Sequence, residues 1–215
     1  MGIYQTEFFG STTLGLLGLA TESCCYLPEE IPIRQVNKIS EALGTPVKKT
    51  SFYNSFMLGL FSAGNSKYIF VSDVVSDREI KTLDKEVVRL DGLFTTLGNL
   101  ILCNDKGCVL SPYLRDKKQF FEEKLGLKTE AITISDLPFP GALAVVTNQG
   151  GVVHEKCKDT ELDILEKTLG VKFKRCAFYE GFPGAEILAN SKGLIVPRSL
   201  RGQALAEVQE CLKVF

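Results

Sequence analysis

Leu100-Ile101-Leu102-Cys103-Asn104-Asp105-Lys106-Gly107-Cys108-Val109-Leu110 is the stretch on which the reading of this chain turns. Two short apolar runs flank Asn104-Asp105-Lys106-Gly107. Asparagine, aspartate and glycine tolerate the positive φ that a tight turn demands, so the stretch predicts a β-hairpin. The pattern returns at Asn148-Gln149-Gly150-Gly151, between Ala144–Thr147 and Val152–Val153. It returns again at Asn190-Ser191-Lys192-Gly193, between Ile187–Ala189 and Leu194–Val196. Weaker copies are Gly64-Asn65-Ser66-Lys67 and Thr21-Glu22-Ser23-Cys24. The turns begin at 21, 64, 104, 148 and 190, so they recur every 40 to 44 residues.

Apolar residues at i, i+3 and i+7 keep the same beat, and that spacing lines one face of an α-helix. The sets are Val36, Ile39 and Leu43; Ile80, Leu83 and Val87; Leu162, Leu165 and Leu169; and Leu205, Val208 and Leu212. In the third unit Lys118 takes the first position, with Phe121 and Leu125 in the other two. Ser76-Asp77-Arg78-Glu79 has the form of a capping box. A β-like segment follows most helices, such as Lys128 to Ile134 or Val171 to Phe178. Each unit therefore reads strand, tight turn, strand, helix, strand. One unit of this size cannot bury its own apolar face, so the units must stack on one another. This predicts a single domain of five repeats, about 10–50, 51–91, 92–134, 135–179 and 180–215. The fifth unit has no strand after its helix, while the chain opens with a spare one, Ile3 to Phe9. Residues 1–9 are thus expected to complete unit five and close a ring, which would remove exposed sheet edges.

Composition narrows the function. The net charge is −1, from 25 basic and 26 acidic residues, so there is no overall cationic surplus for gripping phosphates. Lys172, Lys174 and Arg175 could form a local basic strip or simply a solvated strand face. Asp116-Lys117-Lys118 and Glu122-Glu123-Lys124 read as the solvated face of the third helix. Seven cysteines at irregular spacing, with no C-x-x-C and one histidine, predict buried thiols rather than a zinc site. Cys103 and Cys108 could face each other across their hairpin. The longest apolar run, Leu14 to Ala20, falls short of the roughly 20 residues a membrane helix needs. No phosphate-binding glycine motif is present. No cofactor is expected.

The hairpin units resemble the translation initiation factor 6 family. The resemblance rests on Thr96-Leu97-Gly98-Asn99-Leu100-Ile101-Leu102 leading into Asn104-Asp105-Lys106-Gly107. It rests also on Val146 to His154, Ile187 to Gly193, and Leu14-Gly15-Leu16-Leu17. It covers nearly the whole chain, and the absence of a long tail after Leu212 is similar to the archaeal branch. The resemblance implies an α+β pentein fold, a five-bladed α/β propeller of ββαβ units about a pseudo-fivefold axis. It also implies a monomeric cytoplasmic factor with no catalytic role, bound to the large ribosomal subunit beside ribosomal proteins near the sarcin–ricin loop, with some rRNA contact. There it would block the small subunit sterically and take part in subunit biogenesis. Its binding face is placed at the strand ends near the axis, around Gly98 and Asn99, with Gly15, Gly59, Gly141 and Gly184 as the matching positions. The alternative for those glycines is that they let five strands crowd together where a side chain would clash. An asparagine side chain offers both donors and acceptors to a partner. Where family members carry a Thr-Thr-containing acidic stretch, this chain has Pro197-Arg198-Ser199-Leu200-Arg201-Gly202.

Pentein folds also serve guanidine-modifying hydrolases and transferases. Those need a cysteine nucleophile, a histidine and carboxylates. The lone His154 ends a hairpin strand, where a structural or surface role is expected.

Overall fold

The computed structural model describes residues 2–177 and 182–214. The chain is mixed α/β, with five three-stranded sheets among those residues. It opens with strand β1 (Ile3–Thr6). Unit one follows as α1 (Leu14–Leu17), β2 (Leu19–Ala20), β3 (Cys25–Leu27), α2 (Ile33–Leu43) and β4 (Val47–Lys49). Unit two is α3 (Leu58–Phe61), β5 (Ser62–Gly64), β6 (Tyr68–Ser72), α4 (Asp77–Ile80) and β7 (Glu86–Leu90). Unit three is α5 (Leu97–Leu100), β8 (Ile101–Cys103), β9 (Gly107–Leu110), a 3-10 turn (Pro112–Lys117), α6 (Lys118–Glu123) and β10 (Lys128–Ala131). Unit four is α7 (Pro140–Leu143), β11 (Ala144–Val146), β12 (Gly151–His154), α8 (Asp159–Leu169) and β13 (Phe173–Cys176). Unit five is α9 (Pro183–Glu186), β14 (Leu188–Asn190), β15 (Gly193–Pro197) and α10 (Gly202–Leu212).

Every sheet is built alike. The central strand pairs antiparallel with its hairpin partner and parallel with the strand that returns from the helix, as β9 does with β8 and β10. In the fifth sheet β1 takes the returning position, pairing parallel with β15 from Ile3 opposite Leu194 to Thr6 opposite Pro197. The spare N-terminal strand is thus the one unit five lacks. It is shorter than the sequence suggests, because Phe8 leaves it to form a turn with Ser11. Phe178, the expected end of the segment after α8, lies outside the described residues.

Three of the five expected helices form with all their stripe positions inside: α2, α8 and α10. Gly44 and Gly170 end α2 and α8 in the left-handed conformation, the usual helix stop. Unit two departs from expectation. The capping box at Ser76 and Glu79 is present, but α4 is a single turn, and Val87 lies on β7 opposite Ile69. Its position is still inward-facing, because it packs with Ile69 and Ile80 in the same apolar cluster. A turn of helix followed by a strand can therefore satisfy the spacing of a longer helix. In unit three Pro112 starts a 3-10 turn capped by Ser111, and α6 stops before Leu125, which packs against the core from outside the helix.

Clusters of buried residues span neighbouring units rather than lying within one. Phe70 of unit two packs on Phe121 of unit three, with ring centroids 4.9 Å apart. Val145 of unit four shares a cluster with Leu194 and Leu212 of unit five. This is why a single repeat cannot stand alone.

The hairpin turns join the units as well as folding them. Asn104 Oδ1 accepts from the Lys106 and Gly107 N–H groups at 3.0 and 3.1 Å, which closes the turn. Its Nδ2 donates to the carbonyls of Thr147 and of Leu169, the last residue of α8, at 3.1 and 2.9 Å. Asn190 repeats this with Lys192 and Gly193, and with Thr21 and Leu43 of unit one. A Cβ on Gly107 would lie 2.4 Å from Thr168 O of α8, one on Gly150 1.8 Å from Cys211 O of α10, and one on Gly193 1.9 Å from Ala42 O of α2. So the turns of units three, four and five lie against the helix ends of units four, five and one.

Candidate functional site

The sequence places Gly15, Gly59, Gly98, Gly141 and Gly184 on strand ends. The structure instead puts each at the second position of a one-turn helix, α1, α3, α5, α7 and α9. These turns are too short to stand alone, since the first turn of a helix fixes several residues for one hydrogen bond. They are held by one another. A Cβ on Gly59 would lie 1.9 Å from Gly15 O, and one on Gly98 1.6 Å from Gly59 O. One on Gly141 would lie 1.9 Å from Gly98 O, one on Gly184 1.9 Å from Gly141 O, and one on Gly15 2.0 Å from Gly184 O. Each glycine is required because a neighbour's backbone occupies the place of a side chain. The close approach foreseen for strands is made by helical turns.

Asn99 sits at the third position of α5 and is half-buried. The equivalent residues are Leu16, Leu60, Ala142 and Ala185. Asn99 is thus the polar member of a set that is otherwise apolar. Among the described residues, none hydrogen-bonds to its side chain.

The segments leading into these turns carry exposed large apolar side chains in all five units. They are Phe9, Phe56, Leu93, Phe94, Leu137, Phe139 and Phe182, with Leu93 94% exposed. Phe9 and Phe56 meet across the boundary of units one and two, with centroids 5.6 Å apart, and Phe94 stacks on Tyr113 at 5.1 Å. Left-handed turns position three of these segments. The bridges Phe8–Ser11, Phe52–Ser55 and Ile134–Leu137 enclose residue pairs with positive φ, among them Phe9 at 54° and Tyr53 at 56°. That conformation is unfavourable for an aromatic residue by about 1 kcal/mol or more. Phe9 bears this cost while more than half exposed.

All five units line one cavity of about 110 Å³, bounded by the glycine turns and the strands that follow them. The hairpin turns line a second, smaller cavity that shares Ala20, Gly64, Cys103, Val146 and Ala189 with the first, and there the polar groups satisfy one another. The Glu22 carboxylate accepts from the N–H groups of Asn148 at 3.2 Å and Ser191 at 3.0 Å. Asp105 accepts from the Ser66 N–H at 2.8 Å and hydroxyl at 2.6 Å, and from Asn148 Nδ2. Burial works against ionised Asp105, but those bonds and the Lys85 charge outweigh it and hold its carboxyl below the usual range. The two ends differ: the hairpin turns are polar and internally paired, whereas the segments leading into the glycine turns carry the exposed large apolar side chains.

The eIF-6 family model matches residues 3–211 of this chain. The chain belongs to the eIF-6 family. Translation initiation factor 6 of Methanocaldococcus jannaschii is 35% identical to it, over 98% of this chain and 97% of that protein. The Pyrococcus horikoshii protein of the same name is 34% identical over 99% of both.

The remaining sequence candidates have structural partners in this eIF-6 family member. Lys172 pairs with Glu166 at 2.5 Å, Lys174 with Glu210 at 3.4 Å and Arg175 with Asp159 at 2.5 Å, so the basic strip is matched by acids. His154 Nδ1 accepts from the Lys156 N–H at 3.1 Å and lies 3.1 Å from the Ser135 hydroxyl, which therefore acts as donor. No cysteine or carboxylate hydrogen-bonds to that imidazole among the described residues, in contrast to what guanidine chemistry requires. Among the same residues no group of three or more metal-ligating side chains gathers, and no helix is long and apolar enough to cross a membrane. The apolar rim went unread in the sequence because its members stand one to five residues before the turns, with no fixed offset. The recurring Leu-Gly or Pro-Gly that follows them was the available signal.

Proposed function

We propose that this chain binds the large ribosomal subunit and, by occupying that surface, keeps the small subunit from joining it, without doing chemistry. The observation that carries the reading is the set of exposed large apolar side chains on the segments that lead into the five glycine turns. Exposed large apolar side chains recurring at one phase of every unit fit a docking surface, where aromatic residues are enriched. The paired charges at Lys172, Lys174 and Arg175 favour a protein partner over the phosphate backbone, so ribosomal proteins near the sarcin–ricin loop make the main contact and rRNA a lesser one. The relatives' name, translation initiation factor 6, agrees with that partner. Steric blocking needs no catalytic group, and the same occupancy suits a role in large-subunit biogenesis in the cytoplasm.

The architecture supporting this is one domain of five repeats, about 10–50, 51–91, 92–134, 135–179 and 180–215. Residues 1–9 close it into a five-bladed pentein ring that acts as a monomer. Asn99 contacts the partner with Gly98 beside it. Gly15, Gly59, Gly141 and Gly184 set the turns that form the floor of the face. Co-sedimentation with purified large and small subunits tests the reading. The native chain should pellet with the large subunit alone and prevent joining, and Asn99→Arg should lose both while keeping its unfolding temperature. Binding to neither subunit, or undiminished binding by the variant, would remove this face from consideration.

A further inference from the structure

Among the described residues, three units enter their glycine turn through a left-handed turn, and in each the third residue of the unit's own helix bonds back to that segment. In unit four the link is Glu161 of α8. Its carboxylate accepts from the Lys158 N–H, which caps the helix, and from the Ser135 N–H, both at 2.9 Å. Ser135 has φ of 54° and lies in the turn that Ile134 and Leu137 close. In unit two the counterpart is Glu79 of α4. Its carboxylate accepts from the Ser76 N–H at 3.1 Å and hydroxyl at 2.8 Å, and from the Asn54 N–H at 3.2 Å. Asn54 has φ of 52°. Unit one reverses the polarity, because Gln35 of α2 donates through Nε2 to Glu7 O at 3.2 Å, just ahead of Phe9.

A capping box needs only the N–H of the residue before the helix. The second bond, to the turn, is beyond what capping explains. Left-handed backbone is unfavourable outside glycine, so such a turn keeps its shape only where neighbours fix it. A carboxylate accepting a backbone N–H makes a strong, charge-assisted bond and fixes it here. Burial works against ionised Glu79, but the bonds from Ser76 and Asn54 outweigh it and hold its carboxyl below the usual range. Phe56 follows Asn54 by two residues, and Leu137 and Phe139 follow Ser135 by two and four. The bonds thus tie these exposed side chains to helices whose own apolar residues belong to the core. In unit three Phe94 is instead stacked on Tyr113 of the 3-10 turn.

We infer that Glu79 and Glu161 are positioning residues for docking, each holding the exposed apolar segment of its unit in the shape that a partner meets. This role presupposes that the face docks on the large ribosomal subunit. Glu161 is buried, so it acts through Ser135 rather than by touching the partner. A face ordered in advance avoids the entropy loss of fixing its loops at the moment of binding. Losing a link should therefore weaken binding without removing a contact.

The test pairs amide hydrogen exchange, read residue by residue by NMR, with co-sedimentation of the same full-length chains. In the native chain the Asn54 and Ser135 amides should exchange slowly although they lie in turns. Glu79→Ala should speed exchange at Asn54 about tenfold and leave Ser135 unchanged, and Glu161→Ala should do the converse. Each variant should bind the large subunit about tenfold more weakly. Ser76→Ala removes the hydroxyl from the cap and leaves the Asn54 bond, so it shows what a weakened cap does alone, and it should bind as the native chain does. Should Glu161→Ala fail to fold, Glu79→Ala and Ser76→Ala decide. Fast exchange at both amides in the native chain, or unchanged exchange in the variants, overturns the positioning role. So does equal binding by the native chain and the freed variants, or a loss with Ser76→Ala as large as that with Glu79→Ala, and either of these leaves the docking face standing. A native chain that binds neither subunit overturns the docking face itself, and the positioning role with it.

Discussion

A methyl group at position 98 has no room. The place of a Cβ there is 1.6 Å from Gly59 O and 2.9 Å from Ser62 O, both backbone atoms that no rotamer change can move. Gly98→Ala must push α5 away from α3 and strain the contacts on either side. Overpacking in a rigid setting costs typically 1–3 kcal/mol, and a clash with backbone belongs at the upper end, about 3 kcal/mol. In a chain of this length that lowers the unfolding temperature by roughly 6–12 °C. Gly10→Ala is the control, because Gly10 has φ of 76° with nothing within 4 Å, so only its conformation resists, at about 1 kcal/mol. Thermal unfolding followed by circular dichroism measures both, and a Gly98→Ala chain no less stable than Gly10→Ala would show that the turns can spread apart. The glycines were legible in the sequence as sites of close approach, since the same residue recurs at the same phase. Their helical setting was not, because one turn carries no periodicity. Asn99 stood out through the family resemblance, and its isolation among Leu16, Leu60, Ala142 and Ala185 follows from the shared third position of the five helical turns.

At the scale of elements, the hairpin turn is a joint between units as much as a reversal of chain. Asn104 satisfies two N–H groups in its own turn and two carbonyls in unit four, and all are buried or nearly so. Leaving buried polar groups unpaired costs more than the net gain of making the bonds, about 1–3 kcal/mol per group. Asn104→Ala should therefore destabilise by about 2–4 kcal/mol, some water re-entering the turn. Asn104→Asp keeps the two acceptor bonds within the turn but sets a carboxylate against the Thr147 and Leu169 carbonyls. It should be at least as damaging as Asn104→Ala if the joint matters, and nearly neutral if only the turn does. Urea unfolding of the pair separates the two cases. The turn itself was readable from Asn-x-Lys-Gly, because local chemistry fixes the conformation. The joint was not, because it depends on which helix end lies opposite. The helices divide the same way. α2, α8 and α10 are 11 residues each and carry a full stripe, so their pattern was unambiguous. In unit two the stripe positions Ile80, Leu83 and Val87 pack into one cluster although a turn and a strand supply them. The sequence spacing recorded burial there and left the backbone path undetermined.

For the whole molecule, the question is what the first nine residues do. Ile3 to Thr6 run parallel to β15, Gln5 Nε2 donates to Leu200 O at 2.8 Å, and Phe8 is fully buried in the cluster of unit one. The segment thus bonds to unit five with its strand and to unit one with Phe8. Gly15 against Gly184, and Gly193 against Ala42, bring the same two units together at other levels. A chain lacking residues 1–9 keeps those glycine contacts but loses a strand and a buried aromatic. Removing a buried phenylalanine alone costs about 3–5 kcal/mol, and the bare edge of β15, with Leu194, Ile195 and Val196, would be open to pairing with other chains. The truncated form should unfold at least 10 °C lower, by the scaling of about 2–4 °C per kcal/mol, and should associate as its concentration rises. Differential scanning calorimetry with light scattering reads both. Phe8→Ala in the full chain divides the effect, since it removes the unit-one anchor while leaving β1 in the sheet, and should produce destabilisation without association. An unchanged unfolding temperature on truncation would mean that the glycine contacts and the bonds of Asn190 and Ser191 to unit one suffice to join units one and five, and that β1 merely covers an edge that is stable without it.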